Sequence, residues 1–151
     1  MPLRAVAYVS DAIDGIETSD IDQILQAATG FNKVAGVTGV LMFDGQRFLQ
    51  YFEGPEDGVD SVFQRVFNAR IHTNLRELAR GPVQARHFPR WTMASAAVDP
   101  AALARIADAP WQGFESRPVL GGDSLAGFGY LLAAWTGVSG ELEPAAVTLG
   151  S

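Results

Sequence analysis

The 151-residue chain has no cysteine. Disulfides, thiol nucleophiles, cysteine-based metal sites and covalent cysteinyl adducts to a cofactor are therefore excluded. Basic residues are few. Eleven Lys and Arg stand against seventeen Asp and Glu, for a formal net charge of −6, and they are scattered through the chain. Contacts to nucleic-acid phosphates need clustered cations, so no nucleic-acid partner is expected. No apolar run approaches the roughly 20 residues of a membrane span, so no membrane partner is expected either. The first ten residues lack the basic stretch and apolar run of a signal peptide, and the expected location is cytoplasmic. Histidine occurs only at 72 and 87, with no clustered carboxylates around either, so no metal site is expected. No GxSxG, GxGxxG or Walker A sequence occurs.

What remains is an ordinary globular composition, 48% hydrophobic and 19% charged, with length for one domain and some additional elements. Residues 3–9 read as a strand covered on both faces, of the parallel type. A helix follows. Ser19 is its expected N-cap, Ile21, Ile24, Leu25, Ala28 and Ala35 form its apolar stripe, and Gly36 is its stop. Residues 37–43 and 47–53 are β-rich and flank Asp44-Gly45, a strong hairpin signal. Gly54-Pro55 opens a second helix with an apolar stripe of Val59, Val62, Phe63, Val66 and Phe67. Two further strands are expected near 74–80 and 91–98.

The order β-α-β-β-α-β-β predicts a ferredoxin-like α+β sandwich with both helices on one sheet face. Composition changes after residue 98. Asp99-Pro100 starts a short Ala-rich helix, and Leu125, Phe128, Leu132 and Trp135 suggest another. Residues 1–98 are thus expected to form the main domain. Residues 99–151 would be a C-terminal helical cap on the open sheet face, with a loose tail from 137, too short for a core of their own.

Three polar residues interrupt apolar surfaces. Asn32 falls at helical spacing from Ile21, Leu25 and Ala28. Gln50 lies between Phe48 and Phe52 on one strand face. Tyr8 sits in the first strand. Each alone fits a structural role, satisfied by a backbone partner. Together, a phenol and two carboxamides suit a planar, hydrogen-bonding, redox-active ring, and offer no nucleophile. The carboxylates fall mostly at helix starts and on polar faces. A hydrolase built on a similar fold would need an arginine-bearing anion loop, whereas residues 11–18 are acidic and hold no arginine. A ferredoxin-like interaction module without a functional cofactor remains the alternative.

AYVS at 7–10, N-x(3)-GVTGVLMFDGQRFLQYFEGP from Asn32 to Pro55, and FPRWTM at 88–93 resemble the BLUF family, sensors of blue light using FAD. The resemblance covers about residues 3–98 and implies a blue-light photoreceptor, without enzymatic activity, that holds FAD non-covalently. It implies Tyr8 as electron donor to the photoexcited flavin. Gln50 would stand between the Tyr8 hydroxyl and the flavin N5/O4 edge. Asn32 would bond the polar rim of the ring, and Ile24 and Val66 would sandwich it. Arg65 and His72 match positions near the flavin, and Ser10, Trp91 and Met93 match signalling positions around the Tyr–Gln pair. Output would leave through the fifth strand and the C-terminal helices, to a separate output protein or through a change in a homo-oligomer. Two positions depart from the family pattern. Phe31 stands where a polar residue is common, and Ile71 where arginine is frequent, which leaves Arg70 as the candidate for an implied phosphate or ribose contact.

Overall fold

The computed structural model describes residues 2–89, 93–111 and 127–139. The elements run β1 (Leu3–Ala12), α1 (Thr18–Ala35), β2 (Thr38–Phe43), β3 (Arg47–Pro55), α2 (Glu56–Phe67), β4 (His72–Val83), β5 (Ala94–Ala97), α3 (Pro100–Asp108) and α4 (Gly127–Ser139). The five strands form one sheet in the order β4-β1-β3-β2-β5. This is the predicted ferredoxin-like α+β arrangement.

β1 pairs antiparallel with both β3 and β4, and only β2 with β5 is parallel. The expectation of a parallel first strand is therefore corrected. The α1 crossover returns the chain parallel to β1 but one strand away, and β3 fills the gap running the other way. The uninterrupted apolar character of β1 has another cause: both sheet faces are covered. Val6 and Tyr8 face α1 and α2, together with Leu41, Phe48, Phe52, Val59 and Val62. Ala5, Ala7 and Val9 face the opposite core, with Met42, Tyr51, Leu103, Ile106, Phe128, Leu131 and Trp135. Helices α3 and α4 supply the last five of these, so the C-terminal segment covers the sheet face that α1 and α2 leave open.

Local chemistry fixes the boundaries. The cap of α1 is Glu17, not Ser19: its carboxylate and that of Asp20 form a reciprocal capping box, with the Glu17 N–H donating to Asp20 Oδ2 at 2.9 Å. Gly36 ends the helix in the left-handed region, φ 75°, as its lack of Cβ allows. Asp44 builds the hairpin by accepting the N–H groups of Gln46 and Arg47, so the turn spans three residues, with Gly45 at φ 99°. Pro55 closes β3 and caps α2, which starts at Glu56. A Cβ on Gly58 would overlap the Ala35 carbonyl, so this glycine lets α2 approach the end of α1. Phe67, expected in the apolar stripe of α2, is the last residue of that helix and is 62% exposed. Among the described residues, no helix is long and apolar enough to cross a membrane. Trp91, Leu125 and the segment beyond 139 lie outside the described residues.

Candidate functional site

A cavity of about 390 Å³ lies between the sheet and the two N-terminal helices. Ile24, Leu25, Ala27 and Ala28 of α1 and Arg65 and Val66 of α2 form part of its wall. Tyr8, Leu41, Phe48 and Gln50 of the sheet form its floor, completed by Ala69, Ile71, His72 and Met93. The volume falls in the range of small-molecule sites, about 300–1,000 Å³, and the lining is apolar with a few convergent polar groups.

Strand alternation and register bring the polar groups together. Tyr8 and Gln50 are direct cross-strand partners in the β1–β3 ladder. The Tyr8 hydroxyl donates to Gln50 Oε1 at 2.5 Å. The other end of the same amide, Gln50 Nε2, donates to Met93 Sδ at 3.4 Å. Burial pushes the Tyr8 phenol far above its ordinary value, so it stays protonated and able to donate throughout the physiological range.

His72, at the start of β4, is buried against Tyr8, with ring centroids 5.8 Å apart and planes at 72°. Its Nδ1 is 2.7 Å from Ser10 Oγ, and its Nε2 is 2.8 Å from the Val66 carbonyl oxygen. Arg65 is the one cationic side chain among the described lining residues, and its guanidinium lies over the Phe31 ring, 4.8 Å from the centroid. Phe31 thus supports Arg65 from one of the two positions that depart from the family pattern. Ile71 contributes an apolar wall.

Asn32 is buried in the last turn of α1 but is not among the residues that line the cavity. Its backbone carbonyl accepts from Val37 N–H at 2.9 Å. Ser10 is directed to His72 rather than to Gln50. The structure therefore assembles Tyr8, Gln50, Met93, His72, Ile24, Val66 and Arg65 around one space. It sets Ser10 one hydrogen bond behind that space and Asn32 to one side.

One residue escaped the sequence reading. Glu53 is fully buried on the opposite sheet face, two positions from Tyr51. Its carboxylate accepts from the N–H groups of His87 and Phe88, at 2.7 and 2.6 Å, and from the Tyr51 hydroxyl, at 2.6 Å. Burial alone would raise this carboxyl, but the bonds from His87, Tyr51 and Phe88 outweigh burial and hold it below its ordinary value. The Tyr51 phenol is driven up by burial and then by the Glu53 charge. Arg86 ties the same loop to the Gly36 carbonyl and to Thr38 Oγ1, at 2.7 and 2.9 Å. Alternation could have signalled Glu53: a carboxylate on a strand whose neighbours are all apolar has no solvent face to occupy.

A ferredoxin-like sheet with a mostly apolar cavity under its helices, and a phenol–carboxamide pair on the cavity floor, suits the class of proteins that bind a flat, hydrogen-bonding ligand. Comparison with known proteins specifies the ligand. Residues 3–94 match the family model described as BLUF, sensors of blue-light using FAD, and the chain belongs to this family. It is 32% identical over 95 residues to the photoactivated adenylate cyclase subunit beta of Euglena gracilis, matching 62% of this chain and 11% of that protein. It is 31% identical over 86 residues to the blue light- and temperature-regulated antirepressor BluF of Escherichia coli (strain K12), matching 57% of this chain and 21% of that protein. The chain thus spans only about a tenth to a fifth of these curated relatives. Among solved structures, the dark state of BlrB, a BLUF protein, superposes with a TM-score of 0.62 at 30% identity, covering 64% of this chain and 73% of that one. The photo-activated state of BlsA gives 0.62 at 26% identity, covering 70% and 76%.

The protein is accordingly a blue-light sensor domain using FAD. The residues present fit an isoalloxazine ring. Ile24 and Val66 offer apolar surface from the two helices, Gln50 and Tyr8 offer hydrogen-bonding groups on the floor, and Arg65 offers a cation at the wall.

Proposed function

We propose that Tyr8 and Gln50 are the photoactive pair, and that the hydrogen bond between them is the element that light resets. The observation that carries this reading is the Tyr8 hydroxyl donating to Gln50 Oε1 on the floor of the cavity. FAD, when bound, supplies absorption of blue light and an excited state able to accept an electron. The remaining steps belong to the chain. Tyr8, kept protonated by burial, is the phenol able to release an electron and a proton together. Gln50 Oε1 is the first acceptor such a proton meets.

The Gln50 amide is held at both ends by unlike partners, a phenol at its oxygen and a thioether at its nitrogen. Turning the amide over exchanges donor for acceptor toward Tyr8 and gives up the bond to Met93. The two arrangements differ by one or two buried hydrogen bonds, each worth about 0.5–1.5 kcal/mol net, which is the scale of a bistable switch. There is no net turnover in such a cycle.

Ile24, Val66, Arg65, His72 and Asn32 are assigned to holding the flavin, with Asn32 the least directly supported by the geometry. Met93 immediately precedes β5, which leads into α3, so the change at Gln50 is passed to the C-terminal helices along that path. Trp91 and Ser10 are assigned to the same signalling group. Residues 1–98 act as the sensor and 99–151 as the cap that receives the signal. The receiver beyond it is a separate output protein in the cytoplasm or a second copy of the chain. The net charge of −6, with eleven Lys and Arg, disfavours a nucleic-acid partner.

Tyr8→Phe tests the pair, because it keeps the ring and removes only the hydroxyl. The expected variant binds FAD and shows no light-induced absorption shift. A Tyr8→Phe protein with the wild-type shift refutes the assignment.

A further inference from the structure

The buried ring of His72 stands at the cavity, and the photochemistry above does not use it. Both ring nitrogens are engaged. The Val66 carbonyl can only accept, so Nε2 carries the hydrogen and donates to it at 2.8 Å. In the neutral ring Nδ1 is then the acceptor, and the Ser10 hydroxyl donates to it at 2.7 Å. The Val66 carbonyl, in the last turn of α2, also accepts the Ala69 N–H at 3.0 Å, and His72 takes up its remaining acceptor capacity. His72 therefore fastens the end of α2 to β1.

The backbone is shaped to make this contact. The β1–β4 register shifts between Val9 and Asp11, and Asn74 adopts φ 55° with its amide donating to Asp11 Oδ2 at 2.9 Å. Such irregularities in a ladder redirect side chains. Here His72 pairs with Ala12 along the backbone, while its ring reaches back to Ser10. Ser10 is two residues from Tyr8 on the same strand face, and the fixed ring stands edge-on to Tyr8 and, at 6.3 Å and 77°, to Phe48.

We propose that the Ser10–His72–Val66 relay makes His72 a positioning residue for Tyr8, fixing the phenol so that its hydroxyl stays on Gln50. The proposal rests on Tyr8 and Gln50 being the photoactive pair. With either hydrogen bond removed, the imidazole turns, the Tyr8 ring gains freedom, and the light-set hydrogen-bond arrangement relaxes sooner.

The test uses the full chain loaded with FAD and reads the rate at which the light-induced flavin absorption shift decays in the dark. Ser10→Ala and His72→Leu are each expected to speed the decay about fivefold or more, the equivalent of losing one ordinary buried hydrogen bond. The double variant is expected to decay no faster than His72→Leu, since the two residues act as one unit. His72→Gln, which can donate at one end of its amide and accept at the other, is expected to restore most of the wild-type rate. Should His72→Leu fail to bind FAD, Ser10→Ala carries the test alone, because it deletes one hydroxyl. Single variants that bind FAD and decay within twofold of wild type overturn the relay, as does a double variant whose acceleration is the product of the two. A wild-type protein with no shift overturns the photoactive pair itself, and the relay with it.

Discussion

Replacing Glu53 probes how the far face of the sheet is held. Its carboxylate is the acceptor for two backbone N–H groups, of His87 and Phe88, and for the Tyr51 hydroxyl. Glu53→Leu takes the carboxylate away from the two N–H groups, while the Tyr51 hydroxyl keeps His87 Nδ1 at 3.5 Å. Each unsatisfied group costs about 1–3 kcal/mol. Relaxation of the loop, and relief from burying the carboxylate itself, place the sum near the lower end, about 3 kcal/mol. Glu53→Gln is milder. Its oxygen can still serve the two N–H groups while its nitrogen meets the Tyr51 oxygen, so the loss is mainly charge assistance, about 1–2 kcal/mol. The two variants also differ from wild type in pH response. The folded carboxyl sits below its ordinary value, so its contribution is fully present above the unfolded pKa and is lost as pH falls through the folded one. Urea unfolding of each protein at neutral pH and at successively lower pH reads both quantities. Wild type should lose its advantage over Glu53→Gln as the pH falls. A Glu53→Leu protein within about 0.5 kcal/mol of wild type, or a wild-type advantage that grows in acid, would refute the reasoning.

Two other perturbations test the frame around the site. A Cβ on Gly39 would overlap the Tyr51 carbonyl and lie 2.8 Å from the Phe52 Cα. Gly39→Ala should therefore push β2 from β3 at a cost of about 3 kcal/mol, the upper end of ordinary overpacking, lowering the thermal midpoint by roughly 6–12 °C. Met93→Ala removes the thioether that accepts from Gln50 Nε2 and empties buried volume. It should cost about 2 kcal/mol and abolish light-dependent hydrogen exchange in α3 and α4, while intact light-dependent exchange there would exclude this route.

Much of the fold is legible because local signals agree with one another. Asp44-Gly45 marks a hairpin by turn chemistry alone, and Gly36 marks the end of α1 by needing φ 75°. Gln50 stands out because strand alternation puts an amide between two phenylalanines, and the structure supplies its partners. The misreadings arise where the reason is non-local. The direction of β1 relative to its neighbours depends on β3 inserting between β1 and β2, which no window of residues shows. Ser19 has the better cap chemistry by type, but the Glu17–Asp20 pair satisfies both ends at once. Alternation marks Glu53 as inward-facing, but its backbone partners at His87 and Phe88 lie 34 and 35 residues away and no local pattern names them. The link between Ser10 and His72, 62 residues apart, depends on a bulge that leaves no compositional mark.

The most direct measurement is an absorption spectrum of the purified, FAD-loaded protein before and after blue light, followed in darkness. The expected result is a flavin spectrum displaced slightly to the red by light, with its oxidation state unchanged, returning thermally to the starting form. A spectrum that bleaches, or that does not respond to light, would contradict a switch built on the Tyr8–Gln50 hydrogen bond.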